Sequence, residues 1–252
     1  MVYFIGAGPG AADLITMKGH DLLTKADVII YAGSLVNPKL LDYATDDCLI
    51  YNSASMNLDE VIEVIVANEG EDKVVVRLHT GDPSIYGAHK EQMDRLDQHN
   101  IKYEVVPGVS SFCGAAAALN AEFTLPTVSQ TVILTRMTGR TKVPESQSIK
   151  SLATHQATMV LFLSMSLIPD LVKELNEGGY ELDTPAAIVY KATWPDEKVF
   201  RGTIKDLEKI ATDNNITKTA LIIVGHVLDS DYELSKLYDK HFTHEFRKGI
   251  DE

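Results

Sequence analysis

The chain has 252 residues, a formal net charge of −13 and 45% hydrophobic residues. That acidity repels phosphate backbones and argues against nucleic acid as the main partner; no apolar run approaches the ~18 residues that span a bilayer, so no membrane partner is expected either. Two cysteines, Cys48 and Cys113, fit free thiols in a reducing compartment better than a disulfide framework. The first residues carry no basic segment and turn glycine-rich too early for a signal peptide, so a cytoplasmic protein is expected.

The first half alternates strand-like and helix-like segments. Residues 2–5 read as a short buried strand, followed by a glycine-rich loop and a helical stretch over 13–25. Residues 28–31 form a second apolar run. Residues 59–68 place Val61, Ile62, Ile65 and Val66 on one helical face, with Gly70 as the stop. Strands follow at 74–78 and 103–106, with helices over 86–98 and 110–119. Strands alternating with helices imply a parallel sheet covered on both faces.

Beyond Pro126 the spacing changes. Strands are expected at 131–134, 159–163, 186–190, 198–200 and 221–224, with helices near 148–153, 168–176 and 204–214. The stretch 191–202, with two short runs around Trp194-Pro195-Asp196, reads as a hairpin and makes this second sheet mixed. Residues 120–130 read as a linker, and the charged chain from Asp229 onward as a loosely packed tail. The expected architecture is α/β with two domains, a parallel-sheet domain over 1–120 and a mixed-sheet domain over 121–252.

Gly6-Ala7-Gly8-Pro9-Gly10-Ala11 follows a strand and precedes a helix, formally matching the dinucleotide pattern G-x-G-x-x-G/A. A tight strand-to-helix turn would look the same. Pro9 has no N–H to offer a pyrophosphate, and no acidic residue ends the next strand to hold a ribose. The loop suits close backbone approach to a ligand better than phosphate binding. A second loop, Leu78-His79-Thr80-Gly81-Asp82-Pro83-Ser84-Ile85-Tyr86-Gly87, leaves the carboxyl end of the 74–78 strand, where open α/β sheets bind ligands. A third, Pro107-Gly108-Val109-Ser110-Ser111, does the same after 103–106, although its serines would also suit helix capping.

Together these loops resemble those of the tetrapyrrole methylases, whose motifs are G-x-G-P-G (Gly6 to Gly10), G-D-P (Gly81-Asp82-Pro83) and P-G-[IV]-[ST]-[SA] (Pro107 to Ser111). The resemblance spans residues 2–228. Tyr31-Ala32-Gly33-Ser34-Leu35-Val36, the run from Val128 to Arg136 and Gly139-Arg140-Thr141 are similar to the branch that methylates carbon 11 of a corrin precursor on the route to vitamin B12. One departure is that Ala11 and Ala12 precede Asp13, where the family often has Asp directly after the last loop glycine. The resemblance implies S-adenosyl-L-methionine as cofactor, a cofactor cleft between the two domains and a homodimer. It implies cofactor contacts at Pro9, Thr80, Gly81, Asp82, Ile85, Ser110, Ser111, Ser164, Ala187 and Ala220.

The donor's sulfonium methyl is already electrophilic, so positioning carries the reaction. No proton leaves the conjugated ring carbon that attacks, so a dedicated base is not obligatory, and no catalytic acid, base or metal cluster stands out; His241 and His244 lack further ligands. A corrin precursor carries several carboxylates, so an acidic protein needs local cations to receive the tetrapyrrole substrate. Arg77, His79, Arg136 and Arg140 are the candidates, with Lys142 equally suited to a solvated loop. Another tetrapyrrole methylase acting on uroporphyrinogen or a different precorrin carbon, a nicotinamide-dependent dehydrogenase and a non-catalytic cofactor-binding module remain the alternatives.

Overall fold

A computed structural model describes residues 1–229 and 231–250. The chain forms two units: Met1–Ala115 with the excursion Lys191–Glu197, and Ala116–Tyr190 with the chain from Lys198 onward.

The first unit is built on strands β1 (Val2–Gly6), β2 (Val28–Tyr31), β3 (Leu49–Asn52), β4 (Val75–His79) and β5 (Tyr103–Val106). They make one sheet in the order β3-β2-β4-β1-β5, every pairing parallel. Strand period splits the side chains between two cores. Val2, Phe4, Val28, Ile30 and Val75 bury one face, while Ile5, Ile29, Val76 and Leu78 bury the other. Helices α1 (Met17–Leu23), α2 (Leu58–Asn68), α3 (Lys90–Gln98) and α4 (Ser111–Leu119) connect the strands. Asn57 and Glu60 form a reciprocal capping box that starts α2.

Strand order makes a switch point. The chain leaves β1 toward β2 on one side, whereas β4 crosses over β1 to reach β5 on the other. The connections that follow β1 and β4 therefore run to opposite sides of the sheet, and it is beyond the strand ends at such a switch point that open α/β sheets usually bind ligands.

The second unit's sheet runs β6-β7-β10-β8-β9 and is mixed. Its strands are β6 (Val132–Arg136), β7 (Thr158–Phe162), β8 (Pro185–Tyr190), β9 (Lys198–Thr203) and β10 (Ala220–Val224). β6 and β7 pair in parallel, and the other neighbours pair antiparallel. Met159, Leu161, Ala186, Ile188, Ile222 and Val224 line the face covered by α5 (Ile149–Ala153), α6 (Ile168–Glu177) and α7 (Leu207–Asp213). The hairpin expected over 191–202 is the larger β8–β9 pair, whose first strand precedes that stretch and whose tip is residues 191–197.

Four expectations need correction. The helix expected over 13–25 is split into a 3-10 turn at Ala12–Leu14 and α1, because Thr16 caps α1 by accepting from the Gly19 N–H. The helix expected from 86 begins only at Lys90. Tyr86 and Ala88 sit at φ +56° and +48°, a left-handed backbone that no helix continues through. Val66, expected to share one face of α2 with Val61, Ile62 and Ile65, is exposed while those three are buried. Residues 120–130 are not a loose linker: Phe123 and Leu125 are buried, and Thr158 Oγ1 donates to the Phe123 carbonyl at 2.9 Å.

Candidate functional site

Three loops leave the adjacent strand ends of β4, β1 and β5, and they meet backbone to backbone. The Gly8 N–H donates to the Gly81 carbonyl at 3.2 Å and the Gly81 N–H returns to Gly8 at 2.9 Å. A methyl group on Gly108 would lie 2.2 Å from the Gly81 oxygen and 2.7 Å from Gly6 Cα. Gly81 also takes φ +61°, which glycine adopts without strain. No side chain fits where the loops cross, so glycine is required by contact.

The first loop spends its N–H groups inside the protein. Ala7 donates to His79 at 2.7 Å, Gly8 to Gly81, and Ala11 to Thr193 Oγ1 at 2.9 Å, while Pro9 has no N–H. A pyrophosphate needs several free donors at such a turn. The loop's carbonyls are held too, Gly10 by Asn37 Nδ2 at 2.7 Å and Pro9 by Trp194 Nε1 at 3.2 Å.

Asp82 ties the second loop to the third. Oδ1 accepts from the Ser84 N–H at 2.8 Å and from the Ser84 hydroxyl, and Oδ2 accepts from the Gly108 N–H at 2.8 Å. Burial alone would raise its pKa, but these hydrogen bonds outweigh it and hold the carboxyl below its ordinary value. Asp82 is therefore an ionised fixed point where the second and third loops join. Ile85 closes the same turn, its N–H donating to the Asp82 carbonyl at 3.2 Å. Ser110 is buried at the start of α4 and Ser111 is its first residue.

At the base of the second loop, His79 Nε2 and Thr80 Oγ1 are buried with no hydrogen-bond partner among the described residues. Burial, reinforced by Arg77 and His89, lowers the His79 pKa to about 3, so the imidazole is neutral at physiological pH. Its ring sits in a cluster with Phe4 at 5.9 Å and His89 at 6.0 Å.

The four candidate substrate cations occupy different settings. Arg77 is 7% exposed, and its guanidinium donates to Gln92 Oε1 at 3.0 Å and to the Ile30 carbonyl at 3.1 Å. Burial lowers its pKa to about 10, and it serves as an interior brace between strands and α3. His79 is interior as well. Arg136 donates to the Met137 and Thr141 carbonyls at 3.2 and 3.1 Å, so it folds residues 137–142 around itself. Arg140 and Lys142 stand exposed on that loop.

Of the remaining second-unit positions, Ser164 and Ala187 are interior and Ala220 is half-buried. The Ser164 hydroxyl donates to the Phe162 carbonyl at 2.7 Å and accepts from the Met137 N–H at 2.9 Å. Ala187 lies in β8 opposite Ile223, fully buried, and Ala220 begins β10 opposite Tyr190. Asn37, Thr193 and Trp194 were not singled out from sequence as site residues, although all three hold the first loop. One signal was available: the single tryptophan stands in a polar turn, Thr193-Trp194-Pro195-Asp196, where a large ring needs a partner.

Residues 1–208 match the family model of the Tetrapyrrole (Corrin/Porphyrin) Methylases. The chain belongs to the tetrapyrrole methylases. The methylase is 57% identical to a cobalt-precorrin-4 C(11)-methyltransferase of Methanocaldococcus jannaschii, over 98% of this chain and 96% of the relative. Among solved structures it is similar to a cobalamin biosynthetic enzyme, a cobalt precorrin-4 methyltransferase, with TM-score 0.88 and 48% identity over 91% of this chain and 96% of that one. A uroporphyrin-III C-methyl transferase from Thermus thermophilus, solved with S-adenosyl homocysteine, matches at TM-score 0.74 and 25% identity over 90% and 93% of the two chains. Among the described residues, no helix of the methylase is long and apolar enough to cross a membrane.

Proposed function

We propose that this methylase transfers a methyl group from S-adenosyl-L-methionine to carbon 11 of precorrin-4 or its cobalt complex, in cobalamin biosynthesis. The observation that carries the reading is the glycine crossing of the three loops at the switch point, in a chain 57% identical to an enzyme named for that reaction. The bound cofactor supplies an already activated methyl electrophile.

The residues present fit that group. A donor with adenosyl, amino and carboxylate groups needs close backbone approach and a few fixed polar atoms, not a phosphate cradle. The loops provide a crossing without side chains, the ionised Asp82, and the unpaired Nε2 of His79 and Oγ1 of Thr80. Pro9, Gly81, Ile85, Ser110 and Ser111 complete the set of cofactor contacts we assign to these loops. Holding donor and acceptor in line supplies roughly 7–11 kcal/mol of a barrier of this kind. No base is required at the attacking ring carbon, which loses no proton when it becomes quaternary; the positive charge that arrives with the methyl group is balanced by a proton lost elsewhere on the conjugated ring.

Of the four candidates, Arg140 is the one we assign to carboxylate capture, because it is exposed while Arg77 and Arg136 spend their guanidinium groups on the fold and His79 is buried and neutral. The active species is proposed to be a cytoplasmic homodimer. A single-turnover assay with S-adenosyl-L-methionine and defined intermediates, metal-free and cobalt-loaded, tests the reading. Methylation at carbon 11 of either ring is the expected product. Methylation elsewhere, or of uroporphyrinogen alone, would sink it.

A further inference from the structure

The tip of the β8–β9 hairpin, Lys191–Glu197, belongs to the first unit and not to the unit whose strands it joins. It braces itself: the Trp194 N–H donates to Lys191, the Glu197 N–H to Trp194, and the Thr193 N–H to Glu197 Oε2 at 2.6 Å. Lys191 pairs with Asp196 at 2.7 Å and lies 5.5 Å from the centre of the Trp194 ring. The brace holds a costly shape, since Lys191 and Thr193 take φ +48° and +69°. Neither is glycine, and Thr193 is β-branched, so such a backbone persists only where its surroundings enforce it.

What this shape delivers is two side chains onto the first loop. The Thr193 hydroxyl accepts the Ala11 N–H, and the Trp194 ring N–H donates to the Pro9 carbonyl. Packing is as close as the hydrogen bonding. A methyl group on Gly10 would lie 2.1 Å from Trp194 Cδ1, and one on Gly114 would lie 2.9 Å from Pro9 and 3.2 Å from Thr193. Gly10 is thus small because the tryptophan ring occupies the space a side chain would need.

We infer that Trp194 is a positioning residue for the cofactor: with Thr193 it fixes the first glycine loop in its ligand-receiving shape before the ligand arrives. The inference rests on the reading of that loop as part of the cofactor site. A loop ordered in advance loses no further freedom on binding, and that freedom is what a ligand must otherwise overcome. Donor affinity therefore depends on a residue from the far half of the sequence, one that need not touch the donor.

Two variants test this. Trp194→Phe keeps a ring against Gly10 and deletes the N–H; Trp194→Ala deletes both. Calorimetry with S-adenosylhomocysteine reads affinity without turnover, and melting without ligand reads the fold. Loss of one neutral hydrogen bond corresponds to roughly a 2- to 12-fold weaker dissociation constant for Trp194→Phe, with a larger loss in Trp194→Ala. The donor's KM should rise more than the tetrapyrrole's KM or kcat changes, and the unliganded melting temperature of Trp194→Phe should stay near wild type. Should Trp194→Ala fail to fold, Trp194→Phe decides alone. Wild-type affinity in Trp194→Phe, or equal weakening of donor and tetrapyrrole, would overturn the inference. A wild-type protein that gives no S-adenosylhomocysteine signal would overturn the reading of the loop itself, and this inference with it.

Discussion

The two sheets present chemistry in opposite ways. In the first unit the candidate surface is backbone: Gly6, Gly81 and Gly108 cross within van der Waals distance, Asp82 holds that crossing and Asn37 holds the first loop beside it. In the second unit the candidate chemistry is a side chain, Arg140, on a loop that Arg136 shapes. A backbone surface tolerates no added atom, whereas a side-chain surface tolerates change everywhere except at the functional group. Substitutions should therefore separate the two units sharply.

The largest effect is expected from Gly108→Ala. Its methyl group meets backbone on two sides, which can yield only by moving a loop, and overpacking of that kind costs about 3 kcal/mol. Thermal melting and S-adenosylhomocysteine calorimetry should both register it. An unchanged melting curve with intact binding would show that the loops separate without cost.

Next comes the contrast between Asp82→Ala and Arg140→Ala. Asp82→Ala releases the Gly108 and Ser84 donors and should weaken the donor while the chain still folds. Arg140→Ala removes one charge-assisted hydrogen bond, worth about 1.5–3 kcal/mol, and should raise the tetrapyrrole's dissociation constant roughly 10- to 150-fold. Donor affinity should hardly move in that variant. Arg140→Ala weakening the donor and sparing the tetrapyrrole would reverse the assignment.

A smaller, pH-dependent effect is expected at His79. Its folded pKa, about 3, lies below the ordinary value of 6.5, so the unfolded chain binds the extra proton between those values. Stability contributed by the neutral form is complete above pH 6.5 and is lost as pH falls toward 3. At pH 5 the loss is about 2 kcal/mol. His79→Phe should flatten the fall in melting temperature between pH 7 and 5; a slope equal to wild type would show that His79 does not carry it.

The smallest effect is expected at Gly139, in the second unit. A methyl group there would meet nothing closer than Leu167 Cδ1 at 3.7 Å, so Gly139→Ala should change stability by no more than about 0.5 kcal/mol. Melting that drops as far as in Gly108→Ala would erase the proposed difference between the units.

Much of this contrast was legible from the residues. Buried strands bounded by turns announce themselves, and Val28–Tyr31 and Tyr103–Val106 fall where the apolar runs stand. The glycine loops were recognisable as turns of close backbone approach, because no other residue type suits them. β3 was missed: it is a four-residue edge strand with Leu49 and Ile50 exposed, so it carries no burial pattern. The start of α3 was misplaced because nothing local to residues 86–89 signals a left-handed backbone at a tyrosine and an alanine. Arg77 and Asp82 read from sequence as ligand-binding charges; whether a guanidinium or carboxylate is spent on its neighbours depends on residues such as Gln92 and Gly108, which only the fold brings near. Trp194 lies 184 positions from Gly10, beyond the reach of any local pattern.

That separation bears on how the protein is made. A ribosome synthesises the first four helices and the whole parallel sheet before β6, yet the first unit stays incomplete until Glu197 has emerged. During that interval the Pro9 carbonyl and the Ala11 N–H face solvent, and Gly10 lacks the ring that later covers it. The nascent glycine loop should thus remain supple through most of translation and stiffen only when the hairpin arrives.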